Sequence, residues 1–212
     1  MRGIRNRVRA HYSEAIEQHG PTPLGVDWPN VASQHLRFLQ LLKLCDFDRP
    51  FSLNDFGCGY GALLDYLALR HRGAVVTYNG IDLSPPMISA ARRRWAKRPR
   101  TTFVVASRCA NTADYAVASG VFNVRLGQPL ETWEAYVEQI LRDLCDHSRI
   151  GFAVNFLLPH DDATVERELY RTPRSRWIRF CREELGCVVK SLSGYGLREF
   201  TLLVRRKSSQ VL

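Results

Sequence analysis

Hydrophobic positions along the chain follow two spacings that alternate. Short apolar runs of strand length are separated by segments in which apolar residues recur every three or four positions, as on one face of a helix. The runs predict strands at 51–56, 74–81, 101–106, 113–119 and 149–155. The periodic segments predict helices at 62–71, 85–97, 131–145 and 174–185. Strands that alternate with helices predict parallel βαβ units.

The carboxyl-terminal part of the chain breaks this alternation. Two further strands are predicted at 188–192 and 199–204, with Ser193-Gly194-Tyr195-Gly196 between them. A connection this short can only join antiparallel neighbours. The pattern therefore predicts a three-layer α/β fold with a seven-stranded, mostly parallel sheet that ends in an antiparallel hairpin. Ordinary dinucleotide-binding domains lack that hairpin.

A glycine-rich turn follows the first predicted strand and opens a helix. It reads Asp55-Phe56-Gly57-Cys58-Gly59-Tyr60-Gly61. Glycines in such a turn let the backbone bend sharply and approach a ligand without a Cβ collision. The turn lies at the carboxyl ends of the strands, where ligands of open α/β sheets bind.

An acidic residue, Asp82, ends the next predicted strand. It follows the glycines by about 20 residues, the spacing of a carboxylate that accepts hydrogen bonds from ribose hydroxyls. Asp82 could instead cap the helix that begins near Pro85, although Ser84 can do so in its place. Together the glycine turn and Asp82 indicate a bound nucleoside.

Asp55 helps to distinguish between two kinds of nucleoside ligand. Gly57, Gly59 and Ala62 also fit the looser dinucleotide pattern G-x-G-x-x-A. However, a carboxylate beside the glycines repels a pyrophosphate and suits a ligand that carries an ammonium group.

With these residues in place, the chain resembles the class I (Rossmann-like) S-adenosylmethionine-dependent methyltransferase family. Asp55 to Gly61 match its first motif, Asp82 matches its ribose-binding acid, and residues 188–204 match its terminal hairpin. The resemblance implies S-adenosylmethionine as cofactor and S-adenosylhomocysteine as product. It places Asp55 near the methionine amino group. The other cofactor-binding residues that it implies are Gly57, Cys58, Gly59, Leu83, Met87 and Ser119. Ser107 is expected to line the adenine site as well, although many members of the family carry an acid at that place.

The resemblance also gives a role to the amino-terminal segment. Residues 1–40, with predicted helices at 5–19 and from about 30 onward, are expected to form a helical lid over residues 41–212, within a single domain overall. Arg37 in this segment is expected to pair with the methionine carboxylate, because a guanidinium suits bidentate binding of a carboxylate.

Catalytic residues are harder to predict, because a general base is needed only if the acceptor must lose a proton. His160 follows the fifth strand at the carboxyl edge of the sheet and is the best candidate by position and by its ordinary pKa. Tyr12 and His11 in the lid segment are two further candidates. Five aromatic residues could form an acceptor pocket or belong to the core: Trp28, Trp133, Tyr136, Trp177 and Tyr195. Trp133 and Tyr136 lie on the apolar face of the helix predicted at 131–145, which favours the core for these two.

Composition adds limits to this hypothesis. The net charge of +9 can attract nucleic acid, but the 30 Lys and Arg residues are spread along the chain rather than concentrated on one element.

The six cysteines lack a C-x-x-C pair, and no His/Asp/Glu cluster has metal-ligand spacing, so no metal site is predicted. The amino terminus lacks an apolar signal core, and no apolar run reaches membrane-spanning length. We therefore expect a cytoplasmic protein with no membrane partner; its oligomeric state stays open, a dimer included.

The combined prediction is a methyltransferase that modifies a small molecule at oxygen or nitrogen. Methylation of RNA or protein is the first alternative, although nucleic acid is not favoured as a partner. Residues 119–123 read Ser-Gly-Val-Phe-Asn and lack the Asn/Asp-Pro-Pro-aromatic motif of nucleic-acid amino methyltransferases. A non-catalytic cofactor-binding protein is the second alternative. An NAD-dependent oxidoreductase is disfavoured by Asp55 and by the terminal hairpin.

Overall fold

The computed structural model describes residues 2–159 and 168–207. Seven strands form one sheet in the order β3-β2-β1-β4-β5-β7-β6. The strands are β1 (Phe51–Phe56), β2 (Val76–Asp82), β3 (Thr101–Val105), β4 (Ala113–Ala118), β5 (Ser148–Leu157), β6 (Val188–Ser193) and β7 (Glu199–Arg205). Neighbours among β1 to β5 pair in parallel, whereas β7 pairs antiparallel with both β5 and β6. The predicted fold is therefore confirmed, including the terminal hairpin.

Six α-helices lie along the described chain. They are α1 (Arg2–His19), α2 (Val31–Leu42), α3 (Ala62–Arg70), α4 (Pro85–Arg94), α5 (Leu130–Asp146) and α6 (Arg174–Glu183), and a short 3₁₀ turn (Pro23–Val26) connects α1 to α2. None of them is long and apolar enough to cross a membrane. The expected division after residue 40 falls inside α2.

Alternating side chains of the strands separate two hydrophobic layers, as the strand period of two requires. In β4, Ala116 belongs to the layer that holds α5 and α6, while Tyr115 and Val117 belong to the layer that holds α2, α3 and α4. In β5, Phe152 and Ala153 divide in the same way. The sheet is thus covered on both faces, and its carboxyl edge remains for ligands.

Two helices begin at the side-chain caps that their sequences offer. Asn30 accepts a hydrogen bond from the backbone N–H of Ser33 at 2.8 Å, and Ser84 accepts one from that of Met87 at 3.4 Å. Because Ser84 caps α4, the carboxylate of Asp82 is not needed for that purpose. Asp82 therefore stays at the edge of the sheet beside the glycine turn.

Candidate cofactor and acceptor site

A cavity lies at the carboxyl ends of β1, β2 and β4, and its volume is about 870 Å³, a figure that includes the open space at its mouth. The glycine turn forms one wall, and α1, the 3₁₀ turn and α2 form another. The amino-terminal segment therefore covers the edge of the sheet at which the sequence predicts a nucleoside.

The glycine turn has a left-handed backbone at its three glycines, Gly57, Gly59 and Gly61. Gly57 has a φ of 74°, and a Cβ added there would lie 2.4 Å from Cγ2 of Val121. The backbone N–H groups of Gly57 and Cys58 both donate to the carbonyl oxygen of Ile81, at 2.7 and 3.0 Å. The turn is thus fastened to β2 and pressed against the segment after β4, with its backbone along the cavity.

Asp82 holds the turn and faces the cavity. Its Oδ2 accepts a hydrogen bond from the backbone N–H of Gly59 at 2.9 Å, and its Oδ1 accepts one from that of Ser84 at 2.8 Å. Burial raises the pKa of Asp82, and these backbone hydrogen bonds oppose the rise. Each carboxylate oxygen has a second lone pair, so Asp82 can also accept from two ligand hydroxyls.

Asp55 is the second carboxylate in the cavity wall and is only 4% exposed. Burial raises its pKa to about 7, the hydroxyl of Tyr78 opposes the rise through a hydrogen bond, and the charge of Asp82 adds to it. A buried carboxylate without a cation beside it is costly to ionise. An ammonium group at this position would remove that cost.

Apolar side chains line the cavity beside Asp82. Cys58, Leu83 and Met87 all contribute to its wall. Ala106, the residue after β3, lines the cavity where Ser107 was expected to, and Ser107 itself is not part of the wall. Successive residues of an extended segment point in opposite directions, so a shift of one position changes the side chain that faces the ligand.

Ser119 lies at the end of β4 and lines the same cavity. Its Oγ is buried and has no hydrogen-bond partner in the part of the chain that the structure describes. A buried hydroxyl without a partner is costly. A polar ligand atom in the cavity would supply the missing partner.

Arg37 departs from the expectation. It does not line the cavity, because its guanidinium is bound by the carboxylate of Glu199, with Nε 3.0 and 2.9 Å from the two oxygens. Its Nη1 donates to the carbonyl oxygen of Ser33 at 2.9 Å. The donors that were expected to hold a cofactor carboxylate are therefore already engaged inside the protein.

Arg9, which the sequence did not single out as a candidate, is the arginine that lines the cavity. Its guanidinium has no hydrogen bond or ion pair with any residue in 2–159 or 168–207. Arg9 lies three positions before Tyr12 on α1, and Val8 lies four before, so all three share one helical face. The spacing from Tyr12 was the signal that could have revealed it.

The three candidate bases lie in different surroundings. Tyr12 lines the cavity, and burial raises its pKa well above the ordinary value, so its phenol stays protonated at neutral pH. His11 does not line the cavity, and its Nε2 lies 2.7 Å from Oδ2 of Asp27, which raises its pKa. His160 lies outside the described residues.

The aromatic residues divide between core and cavity. Trp133 and Trp177 are fully buried in the core. The hydroxyl oxygen of Tyr195 lies 3.0 Å from Oγ1 of Thr201. Trp28 and Tyr136 line the cavity. Tyr136 also belongs to the core, the place that the sequence favoured for it.

The cavity thus combines features that fit an S-adenosyl amino acid. It has a buried carboxylate for an ammonium group, a second carboxylate at the distance along the chain that suits a ribose, and an apolar wall for an adenine. No group of three or more His, Cys, Asp or Glu side chains within 2–159 and 168–207 is placed to share a metal ion.

Comparisons with known proteins agree with this fit. Residues 54–149 match the family model of a methyltransferase domain. The chain is 46% identical over 168 residues to "Putative methyltransferase Rv1506c" of Mycobacterium tuberculosis (strain ATCC 25618 / H37Rv), which covers 79% of this chain and 100% of that relative. A shorter match, 35% identical over 81 residues, joins 33% of this chain to 30% of "Trans-aconitate 2-methyltransferase" from strain ATCC 25177 / H37Ra.

Solved structures show the same fold at low sequence identity. The N-methyltransferase NodS from Bradyrhizobium japonicum WM9 has a TM-score of 0.65 at 15% identity, with 92% of this chain and 98% of that chain covered. The magnesium protoporphyrin IX methyltransferase ChlM from Synechocystis PCC 6803 has a TM-score of 0.64 at 15% identity, with 96% and 100% covered.

Fold, cavity and relatives define a methyltransferase. The chain belongs to the class I S-adenosylmethionine-dependent methyltransferase family. S-adenosylmethionine is its cofactor.

Proposed function

We propose that this methyltransferase acts on a small molecule, at an oxygen or nitrogen atom. The observation that supports the proposal is that the amino-terminal helices lie over the cavity. Val8 and Tyr12 of α1, Trp28, and Gln34 and Phe38 of α2 all belong to the cavity wall. An acceptor must therefore fit beneath the amino-terminal helices, which favours a compact molecule over a folded nucleic acid or a protein surface.

In this proposal the chain's own residues bind and align the reactants. Asp55 pairs with the cofactor's ammonium group, and Asp82 accepts hydrogen bonds from the ribose. Leu83 and Met87 pack near the adenine. Arg9 takes the carboxylate role that Arg37 cannot fill. When bound, the cofactor supplies a methyl group for in-line displacement, and the protein contributes alignment.

Two tyrosines are suited to orient the acceptor. The hydroxyls of Tyr12 and Tyr136 form no hydrogen bond within the described ranges, and both residues line the cavity. Burial raises the pKa of Tyr136 to about 12. Both phenols are therefore neutral at pH 7 and can donate a hydrogen bond to an acceptor atom without acting as bases.

A cytoplasmic location is part of the same proposal. All six cysteines are free thiols, five of them buried. This usage fits a reducing compartment.

The first experiment is calorimetric titration with S-adenosylhomocysteine, with NADH as the competing class of ligand. Saturable binding of S-adenosylhomocysteine is expected for the wild-type protein and for Asp48→Ala, an exposed carboxylate away from the cavity, but not for Asp82→Ala. Preferential binding of NADH would contradict the assigned cofactor site.

The second experiment tests the acceptor class. Release of S-adenosylhomocysteine is measured with panels of small phenols, carboxylic acids and amines, and with total RNA and a protein mixture. We expect turnover above the acceptor-free rate with at least one small-molecule panel. Turnover with RNA or protein alone would overturn the small-molecule proposal while leaving the cofactor site intact.

A further inference from the structure

A closed circuit of contacts joins the amino-terminal helices to the carboxyl edge of the sheet. Its members are Trp28, Arg37, Gly120, Asn155 and Glu199, and we call it the Arg37 circuit. Two of these residues, Trp28 and Gly120, line the cavity. The other three stand behind the wall.

The first half of the circuit crosses three neighbouring strands. The backbone N–H of Gly120, just after β4, donates to Oδ1 of Asn155 in β5 at 2.8 Å. Nδ2 of Asn155 then donates to Oε2 of Glu199, the first residue of β7, at 2.9 Å. The position of Gly120 is therefore linked to the carboxylate of Glu199 through one amide side chain.

The second half returns through α2 to the cavity. The guanidinium of Arg37 binds both carboxylate oxygens of Glu199, and its carbon lies 3.7 Å from the centroid of the Trp28 ring. The Trp28 ring in turn lies against Gly120, where an added Cβ would be 2.1 Å from Cζ2. The contacts thus return to the residue at which they began.

Three members of the circuit are shielded from solvent, whereas Trp28 is half-buried. Arg37 is 5% exposed, Glu199 1% and Asn155 0%. A buried ion pair gains little net stability over apolar packing, because both ions lose their hydration. Its best supported use is to select one arrangement of the parts that it joins.

From this geometry we infer that Arg37, Asn155 and Glu199 are positioning residues that hold Trp28 against Gly120. They thereby set the shape of the cavity beside Ser119, at the end of β4. This inference goes beyond the proposed function, because it requires the cofactor cavity and holds for any acceptor. It also gives Arg37 a use different from the one that the sequence suggested.

The test follows Trp28 by fluorine NMR of protein labelled with 5-fluorotryptophan, which gives four signals from the four tryptophans. Trp28→Phe assigns the Trp28 signal. Glu199→Gln removes the charge that faces Arg37 while keeping the side-chain shape. We expect this variant to shift or broaden the Trp28 signal and to leave that of the buried Trp133 unchanged. We also expect it to bind S-adenosylhomocysteine about tenfold more weakly, because loss of a hydrogen bond between charged groups frees Trp28 to leave the cavity wall.

The matched control is Glu138→Gln, the same substitution in another ion pair. Glu138 accepts a hydrogen bond from Nη2 of Arg176 at 2.7 Å, between α5 and α6, and does not line the cavity. We expect it to leave the Trp28 signal and the affinity for S-adenosylhomocysteine at wild-type values. An unchanged Trp28 signal in Glu199→Gln, or the same shift in both variants, would overturn the inference.

Glu199→Gln leaves Arg37 as a buried cation without a counter-ion, which can prevent folding. The double variant Arg37→Met/Glu199→Gln avoids this by removing both charges. It loses the guanidinium beneath Trp28, so we expect the same local change of the Trp28 signal and the same loss of affinity. Wild-type values for both in a folded double variant would also overturn the inference. Neither readout depends on the acceptor, so failure of the proposed acceptor class is detected separately.

Discussion

The hydroxyl of Tyr78 donates a hydrogen bond to Oδ2 of Asp55 at 2.5 Å, beneath the glycine turn. Both residues are buried, and they stand on the neighbouring strands β1 and β2. This hydrogen bond favours the ionised form of Asp55, whereas burial favours the neutral form. Asp55 is consequently poised near neutral pH to exchange its proton for a ligand's ammonium group.

Binding of S-adenosylhomocysteine should therefore depend on pH. The pKa of Asp55 is about 7 without ligand, and the ligand's ammonium group requires the ionised form. As the pH falls from 8 to 6, protonation of Asp55 competes with binding, and we expect affinity to fall about tenfold. Calorimetric titrations across this range measure the effect, and Asp55→Asn should abolish most of the dependence. An equally steep dependence in Asp55→Asn would assign it to another group.

The same carboxylate should limit the stability of the ligand-free protein. Because the pKa of Asp55 is raised on folding, the folded state binds more protons than the unfolded state between pH 4 and 7. Its contribution to the free energy of unfolding is thus present at low pH and lost as the pH rises through about 7. We expect the advantage in Tm of Asp55→Asn over the wild type to grow by about 5 °C between pH 5 and 8. Calorimetric scans in the absence of ligand test this, and a constant difference would contradict it.

Arg9 should bind the part of the cofactor that carries its carboxylate. We expect Arg9→Met to weaken S-adenosylhomocysteine about fivefold, through loss of a charge-assisted hydrogen bond. The same variant should bind 5′-deoxy-5′-methylthioadenosine, which lacks the amino-acid part, as the wild type does. Arg7→Met, an exposed position on α1 outside the cavity wall, is the control. Equal weakening of both ligands would show that Arg9 acts on the shape of the cavity instead.

Gly120 should accept no side chain. Its φ of 73° lies in the left-handed region, which costs other residues roughly 1–2 kcal/mol. A Cβ would also meet the Trp28 ring at 2.1 Å. We expect Gly120→Ala to displace Trp28 and to weaken S-adenosylhomocysteine, whereas Gly127→Ala, with a φ of 66° and open space around it, should carry the backbone cost alone. Comparison of Tm and affinity for the two variants separates the contributions.

The sequence by itself determined the elements and the cofactor motif of this protein. Strands such as Phe51–Phe56 appear where predicted, and most other boundaries agree within a few residues. This succeeds because apolar periodicity records which face of each element is buried. The positions of the glycine turn and Asp82 at the carboxyl edge of the sheet were also predicted from the sequence. This was possible because a strand, a turn and a helix that follow one another place the turn residues at that edge in a nearly fixed way.

Only the tertiary structure decided which partners the long polar side chains find. Arg37 binds Glu199, 162 positions away, and nothing in the local pattern of either residue indicates the other. Ala106 rather than Ser107 lines the cavity, and Arg9 lines it too. Both facts depend on how α1 and the end of β3 pack at the carboxyl edge of the sheet. The physical reason is that periodicity fixes the buried face of an element, whereas the contacts of an arginine depend on which other elements pack within reach of its side chain.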